Sequence, residues 1–306
     1  MTTPSLSPTL VRARAEFEEL VKDIRPELHR YCARMIGSVV DAEDLVQDAL
    51  ANAYYALPTT SVANMRGWLF RIAHNKAIDH LRRANHQPIE QLDEYPLVAE
   101  VEAPLEEQEQ VALALSVFLK LAPKQRSCVI LKDVMGYSLA EISELLDATV
   151  PEIKAALHRG RERLRELSKS VEVEEPVRLD KQERELLARY VDRFNARDFD
   201  AVRAMLADEV RLDLLNRTKR RGVAQVSEYF HRYSQVDDWR LALGAVDNRP
   251  AILAYDPREA ASQPVYFMLL AWDDGQVCEI RDYRYARYVM RDAAVVEHCA
   301  PTFCQF

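Results

Sequence analysis

Apolar residues at steps of three and four fill two long stretches of this chain, residues 12–85 and 108–168, and constrain its fold most strongly. That spacing is the period of one helix face, so both stretches are predicted to be helical. After residue 180 the pattern changes, because helices there are followed by strand-like segments separated by turn signals such as DNRP and DDGQ. The predicted fold class is multidomain, with two all-α domains and one α+β domain.

Composition excludes several classes of protein. The 306 residues are too many for one typical core. The sequence has no run of about 18 apolar residues, so we expect neither a membrane span nor a membrane partner. The first residues lack the basic and apolar pattern of a secretion signal, so we expect a cytoplasmic protein. The five cysteines are scattered and form no CxxC pair. They indicate reduced thiols rather than disulfides or a zinc site, and we expect neither metal nor cofactor.

The formal net charge of −8 conceals an uneven distribution of charge. Residues 66–83 and 154–165 each carry five Lys or Arg side chains against a single carboxylate, whereas residues 86–110 carry eight carboxylates and no Lys or Arg. Basic patches of this kind are typical of polyanion binding, although a solvated helix face is the alternative. The acidic stretch has no periodic apolar pattern and is predicted to be an extended linker.

The second helical stretch contains helix-turn-helix spacing. Ser138 and Glu141 form a capping box, Thr149 can cap the following helix, and Pro151 suits its first turn. A helix-turn-helix places its second helix in the major groove of DNA, and a solvated helical hairpin is the alternative. The predicted buried set is Ala140, Ile142, Leu145, Leu146, Ile153 and Leu157.

The first helical stretch offers a different basic surface. Asp41 is the predicted N-cap of the helix DAEDLVQDALANAYYAL. The next helix interleaves aromatic and cationic side chains, including His74, which suits unstacked single-stranded bases. Trp68 and Phe70 are also candidates for the core, and for Phe70 the core is favoured.

Two pairs of motifs resemble a known family. DAEDLVQDALANAYYAL with MRGWLFRIAHNKAIDHLRR resembles region 2 of the extracytoplasmic-function (ECF) sigma factors of bacterial RNA polymerase. LAPKQRSCVILKDVMGYSLAEISELL with IKAALHRGRERLRE resembles their region 4. The resemblance implies an alternative sigma factor that binds core polymerase and directs promoter-specific initiation, without being an enzyme itself. The expected division is region 2 (10–86), an acidic linker (87–107), region 4 (108–168), a second linker (169–180) and a third domain (181–306).

The resemblance also implies partners and roles for individual residues. Region 2 would bind the coiled coil of the β′ clamp, and region 4 the β flap. The polymerase-binding set is Asp41, Glu43, Asp44, Gln47 and Asp48. The set that opens and reads the −10 promoter element, with Asn75 near a flipped base, is Trp68, Arg71, Asn75, Lys76, Arg82 and Arg83. The set that reads the −35 element is Lys132, Thr149, Lys154, Ala155, His158, Arg159 and Arg161.

Four positions of region 4 depart from the usual family pattern. Asp147 stands in place of the turn glycine, and Ala155 and Ala156 occur where a small polar residue and an arginine are frequent. Glu152 introduces a carboxylate close to the expected DNA phosphates. These departures predict either weak −35 binding or a −35 sequence other than the commonest one.

The third domain resembles the SnoaL-like branch of the NTF2-like fold, through RYVDRFNARDFDAVRAMLADEVRLDLL followed by RGVAQVSEYFHRY. That resemblance implies control of sigma activity through intramolecular contact with the sigma domains. Because the acidic linker is long enough to let those domains rearrange, we predict that the third domain shifts them between a packed form and a spread form that binds polymerase. Catalysis and ligand sensing remain open beside such contact. The candidate polar lining of a pocket is Asp213, Asn216, Tyr266, Trp272, Arg281, Asp282 and Tyr283.

A polymerase-independent helix-turn-helix regulator with a ligand-sensing domain is the alternative function. The DAEDLVQDAL helix discriminates between the two, because a regulator acting without polymerase does not need it.

Overall fold

The computed structural model describes residues 8–60, 62, 64–85, 118–168, 181–259 and 263–297. The chain divides into two units, Met1–Val173 and Glu174–Phe306. Both predicted linkers, 87–107 and 169–180, lie outside the described residues, as do residues 109–117 of the helix predicted from EQVALALSVFLKLAP, residues 109–123.

Three helices form the first part of the N-terminal unit. Their apolar faces enclose a core that includes Ile24, Leu28 and Val46, all fully buried. The first helix continues through Pro26 without a break. The helices are α1 (Pro8–Ile36), α2 (Val39–Ala56) and α3 (Met65–Asn85).

The start of α2 differs from the sequence prediction. Gly37 ends α1 in the left-handed region with φ of +79°, and Ser38 follows in extended conformation. The Asp41 backbone N–H donates to Ser38 Oγ at 3.2 Å, so Ser38 is the N-cap and Asp41 lies in the first turn. The predicted cap was wrong because buried Val39 and Val40 already belong to the helix.

A second helical group follows in the same unit. The Ser138–Glu141 capping box is confirmed, and Asp147 ends a helix in the left-handed conformation with φ of 52°. Ile142, Leu145, Ile153 and Leu157 are buried as predicted, whereas Leu146 is half-buried and Ala140 is exposed. The elements are α4 (Pro123–Val129), a π-helical turn (Ile130–Val134), α5 (Leu139–Leu146) and α6 (Val150–Ser168).

The C-terminal unit combines helices with one sheet, which confirms the α+β prediction. Its helices are α7 (Lys181–Asn195), α8 (Phe199–Arg203) and α9 (Val223–Ser234). Its strands are β1 (Leu206–Leu214), β2 (Thr218–Arg221), β3 (Arg240–Val246), β4 (Arg249–Tyr255), β5 (Tyr266–Asp273), β6 (Gln276–Asp282) and β7 (Val295–Glu297).

The strands form one sheet in the order β2-β1-β6-β5-β4-β3-β7. Strands β1 and β6 run parallel, and the other neighbours run antiparallel. Aromatic side chains of the helices and of Trp239 form the core, with Phe194 at its centre, 5.0 Å from Trp239 and 5.2 Å from Tyr233 between ring centroids. The strand-like segments EVRLDLL, WRLALGAV, AILAYD, PVYFMLLAW and QVCEIRDYRYARYV predict β1, β3, β4, β5 and β6, although the last extends beyond Asp282, where β6 ends. The pattern misses β2 and β7, which are short and lie at the two edges of the sheet.

Candidate nucleic-acid interface

Helix α2 presents an acidic surface. Asp44 and Asp48 are exposed, while Asp41 and Gln47 are half-buried. Glu43 is fully buried and forms an ion pair with Arg25, whose Nε donates to Glu43 Oε1 at 3.1 Å. A buried carboxylate cannot contact a partner, so the prediction that Glu43 belongs to the docking surface was wrong. Its role is to fasten α2 to α1.

Helix α3 presents the predicted −10 residues on one side. Arg71, Asn75, Arg82 and Arg83 are exposed, whereas Trp68 and Lys76 are half-buried. Phe70 is 2% exposed and belongs to the core, as favoured from sequence. Polar and cationic side chains at this spacing suit contacts to unpaired bases and phosphates.

His74 does not contribute positive charge to this surface. Its Nδ1 lies 2.7 Å from the hydroxyl of Tyr31 in the helix bundle. Burial lowers the pKa of His74 to about 4, so its imidazole is neutral near pH 7. The cations of α3 are therefore its arginines and Lys76.

Helix α6 exposes only part of the predicted −35 set. Lys154 and Thr149 are exposed at its start, and the half-buried members are Ala155, His158 and Arg159. Lys132 is half-buried, and its Nζ donates to the backbone oxygen of Tyr137 at 3.2 Å. The exposed N-terminal end of α6 is the part of a helix-turn-helix that reaches base edges.

Arg161 was wrongly assigned to the −35 set. Its side chain is 4% exposed and makes two hydrogen bonds to Asp133, from Nε to Oδ2 at 2.9 Å and from Nη2 to Oδ1 at 2.6 Å. Asp133 belongs to the π-helical turn. Because both groups are enclosed by protein, Arg161 attaches α6 to that turn and cannot reach DNA.

Glu152 completes a second capping box, at the start of α6. Its Oε2 accepts from the Thr149 backbone N–H at 2.7 Å and from the Thr149 hydroxyl at 2.8 Å, and Oε1 forms an ion pair with Lys124 at 3.0 Å. These bonds, the backbone bond first, lower the pKa of Glu152 to about 2. The carboxylate that departs from the family pattern therefore stabilises the start of α6 and remains charged.

Glu152→Gln is expected to raise affinity for duplex DNA about two- to fivefold at low salt, since Gln preserves the capping box and removes one charge that repels phosphate. Fluorescence anisotropy with labelled duplex DNA at two salt concentrations measures the change, which should shrink as salt rises. Glu166→Gln, with the same charge change in the last turn of α6, is the control. An equal gain in both variants would contradict the assigned DNA face.

The α3 helix packs against residues that precede and form α5. The rings of Phe70 and Tyr137 meet edge to face, with centroids 5.6 Å apart. The Tyr137 hydroxyl lies 3.3 Å from Glu27 Oε2 and 3.3 Å from Arg66 Nη2, and Arg66 also pairs with Glu27. Tyr137, which sequence reasoning missed, is half-buried and contacts both helical groups.

Two arginines extend this contact. Arg71 Nη2 donates to the backbone oxygen of Glu144 in α5 at 3.0 Å. Arg126 is 4% exposed and donates to the backbone oxygens of Met35 in α1, and of Leu119 and Leu121 at 2.8 Å each. Burial lowers the pKa of Arg126 to about 10, and the side chain still remains charged at neutral pH. Arg71, an exposed member of the predicted −10 set, is therefore already hydrogen-bonded to the other helical group.

The predicted pocket residues of the C-terminal unit separate into two groups. Asp282 and Tyr266 lie in the interior beside α9. Asp282 Oδ2 accepts from the hydroxyls of Tyr229 at 2.9 Å and Tyr233 at 2.7 Å, and Oδ1 accepts from the Arg284 backbone N–H at 2.8 Å. Burial raises the pKa of the Asp282 carboxyl, and these hydrogen bonds oppose the rise.

Four of the remaining five, Asp213, Asn216, Arg281 and Tyr283, do not share that interior position. Asp213 alternates with the inward Leu212 and Leu214 on β1 and pairs with Lys219 at 3.0 Å on the other face. Asn216 is exposed in the turn after β1, and Arg281 alternates with the buried Ile280 and Asp282 on β6. Trp272 is half-buried and packs against the interior cluster that also contains Tyr266. Tyr283 stacks on Phe267 with centroids 4.1 Å apart.

Among the described residues, no three His, Cys, Asp or Glu side chains are grouped closely enough to hold a metal ion. The same part of the chain contains no helix that combines the length and the apolar character required to cross a bilayer.

Comparisons with known proteins agree with the two helical groups. The family model for Sigma-70 region 2 matches residues 20–87, and that for Sigma-70, region 4 matches residues 105–164. The chain is 34% identical over 163 residues to the ECF RNA polymerase sigma factor SigW of Bacillus subtilis, covering 49% of this chain and 87% of that protein.

Two solved structures align with this chain, one over a larger share of it than SigW does and one over a smaller share. The crystal structure of the Mycobacterium tuberculosis extracytoplasmic function sigma factor SigJ covers 86% of this chain and 95% of its own, with 23% identity and a TM-score of 0.35. An NTF2-like protein of unknown function from Cytophaga hutchinsonii covers 32% of this chain and 94% of its own, with 17% identity and a TM-score of 0.25.

The alternative of a polymerase-independent regulator is not favoured, because both sigma regions occur in order along one chain and a relative matches across them. The chain belongs to the ECF RNA polymerase sigma factors, the alternative sigma factors that direct transcription initiation.

Proposed function

We propose that the exposed side chains of α2, α3 and α6 contact core polymerase and promoter DNA during initiation. Asp44 and Asp48 on α2 bind the coiled coil of the β′ clamp, and α4–α6 bind the β flap. Arg71 and Asn75 on α3 open and read the −10 element, while Lys154 on α6 reads the −35 element. The supporting observation is their exposure, since neighbours such as Phe70 and Ile153 are buried in the same helices. The site of action is then the cytoplasm.

We further propose that the contact between α1–α3 and α4–α6 is a resting form, which the SnoaL-like C-terminal domain favours or releases by intramolecular contact. In this form one donor of the Arg71 guanidinium is occupied by the backbone oxygen of Glu144. Tyr137 holds the two groups together through its ring and its hydroxyl. A protein with two such forms responds to any partner that binds one form better than the other.

The C-terminal domain acts in this proposal without catalysis. The Asp282 carboxylate already accepts three hydrogen bonds and is fully buried. A general base needs access to the proton that it removes. Asp282 instead fixes Tyr229 and Tyr233 on one side of α9.

Tyr137→Ala tests the resting form. Loss of an aromatic pair and of the hydroxyl contacts should shift the population toward the spread form and raise promoter-dependent transcription about tenfold. Multi-round transcription with purified core polymerase measures this. Tyr137→Phe keeps the ring pair and loses the hydroxyl, so it should give an intermediate gain. A folded Tyr137→Ala protein with unchanged or lower transcription would contradict the proposal.

A further inference from the structure

A cavity of about 130 Å³ lies in the C-terminal unit beside α9 and β1. Its apolar wall comes from Leu212 and Leu214 of β1 and from the rings of Tyr229 and Tyr233 of α9. Because the hydroxyls of both tyrosines donate to Asp282, their rings are held in place. Asp282 does not itself line the cavity. The wall is therefore apolar, aromatic and rigidly positioned.

Two guanidinium groups line the same cavity without a partner. Arg220 of β2 and Arg232 of α9 have neither a side-chain hydrogen bond nor an ion pair within the described residues. Arg284 also lines it, but its Nη2 binds both Asp238 oxygens at 2.6 Å and its Nη1 donates to the Tyr266 hydroxyl at 2.9 Å. Arg220 and Arg232 are thus the cations available to a ligand.

The charge balance at the cavity favours an anion. Glu228 is its one lining carboxylate among the described residues, against the two available guanidinium groups. The charge of Arg284 is balanced by Asp238. Guanidinium groups are well suited to carboxylates because their planar donors match the two oxygens.

We propose that this cavity binds a monocyclic aromatic carboxylate of about the size of benzoate, with its ring against Tyr229 and Tyr233 and its carboxylate toward Arg220 and Arg232. An apolar cavity of about 150 Å³ is known to hold benzene, so the volume suits a single ring. Aromatic side chains attract a bound ring beyond its apolar area alone. The inference goes beyond the proposed function, and binding can be measured without polymerase or DNA.

The test is a titration of the full chain with sodium benzoate, followed by isothermal calorimetry and by the benzoate proton signals in saturation-transfer NMR. Arg220→Gln and Arg232→Gln should each weaken binding about tenfold, because each removes a charged donor to the carboxylate. Arg189→Gln is the matched control, since Arg189 is an exposed arginine of α7 outside the cavity. Benzamide, which has the same ring without the charge, should bind at least about tenfold more weakly than benzoate.

Saturable benzoate binding with this pattern supports the site. The inference is overturned if benzoate shows no saturable binding up to about 10 mM, a range that includes the weakest ligands of interest. It is also overturned if the cavity variants bind as the control does, or if benzamide binds as well as benzoate. Circular dichroism of each variant shows whether the fold is retained. We expect that it is, because Arg232 is exposed and Arg220 is half-buried.

Discussion

The double variant Asp44→Lys, Asp48→Lys is expected to bind core polymerase about 100-fold more weakly or worse, and therefore to lose promoter-dependent transcription. The two carboxylates are exposed one turn apart on α2, so reversal of both replaces attraction by repulsion across a single contact surface. Fluorescence anisotropy of labelled protein titrated with core polymerase measures the affinity.

A matched control variant carries the same change of charge on α7, in the C-terminal unit. Glu185 and Asp192 are exposed on α7, and Glu185→Lys with Asp192→Lys should leave polymerase affinity within about twofold. Equal loss in both double variants would indicate a general charge effect. Full affinity of the α2 variant would remove α2 from the polymerase interface.

Arg161→Met is expected to lower the free energy of unfolding of the N-terminal unit by about 3–5 kcal/mol, because it leaves the Asp133 carboxylate buried without its cation. The Asp133 side chain is 1% exposed, so water cannot replace the lost partner. Urea denaturation followed by circular dichroism gives the difference.

The double variant Arg161→Met with Asp133→Leu separates this account from a simple packing defect. Replacing both charges by apolar groups should recover most of the lost stability. Lys154→Met is the control from the exposed start of α6, and it should change stability by less than about 0.5 kcal/mol while lowering DNA affinity. If Arg161→Met lowers DNA affinity without loss of stability, Arg161 belongs to the DNA surface after all.

The helices and their apolar faces could be predicted from sequence because their spacing is local. The burial of Glu43 and Arg161 could not, because each depends on a partner far along the chain, Arg25 and Asp133. A charged side chain in a helical motif has the same sequence appearance whether it faces solvent or an ion-pair partner. Tyr137 was missed for the same reason, since its contacts Glu27 and Arg66 belong to the other helical group.

In the C-terminal unit, alternation along β1 could have corrected one error. Leu212 and Leu214 face the core, so the period of two places Asp213 on the opposite face. Strand β2, with the sequence TKRR, has no apolar alternation and depends on pairing with β1. Its Arg220 became a candidate ligand contact only once that pairing placed it beside α9.

Transcription from genomic DNA fragments by purified core polymerase, with and without the full chain, tests the central claim most directly. The account predicts transcripts with defined start sites only when the protein is present, and their loss with the Asp44→Lys, Asp48→Lys variant. Absence of such transcripts, from the wild-type chain and from the more active Tyr137→Ala variant alike, would contradict the assignment of this chain as a sigma factor that directs initiation.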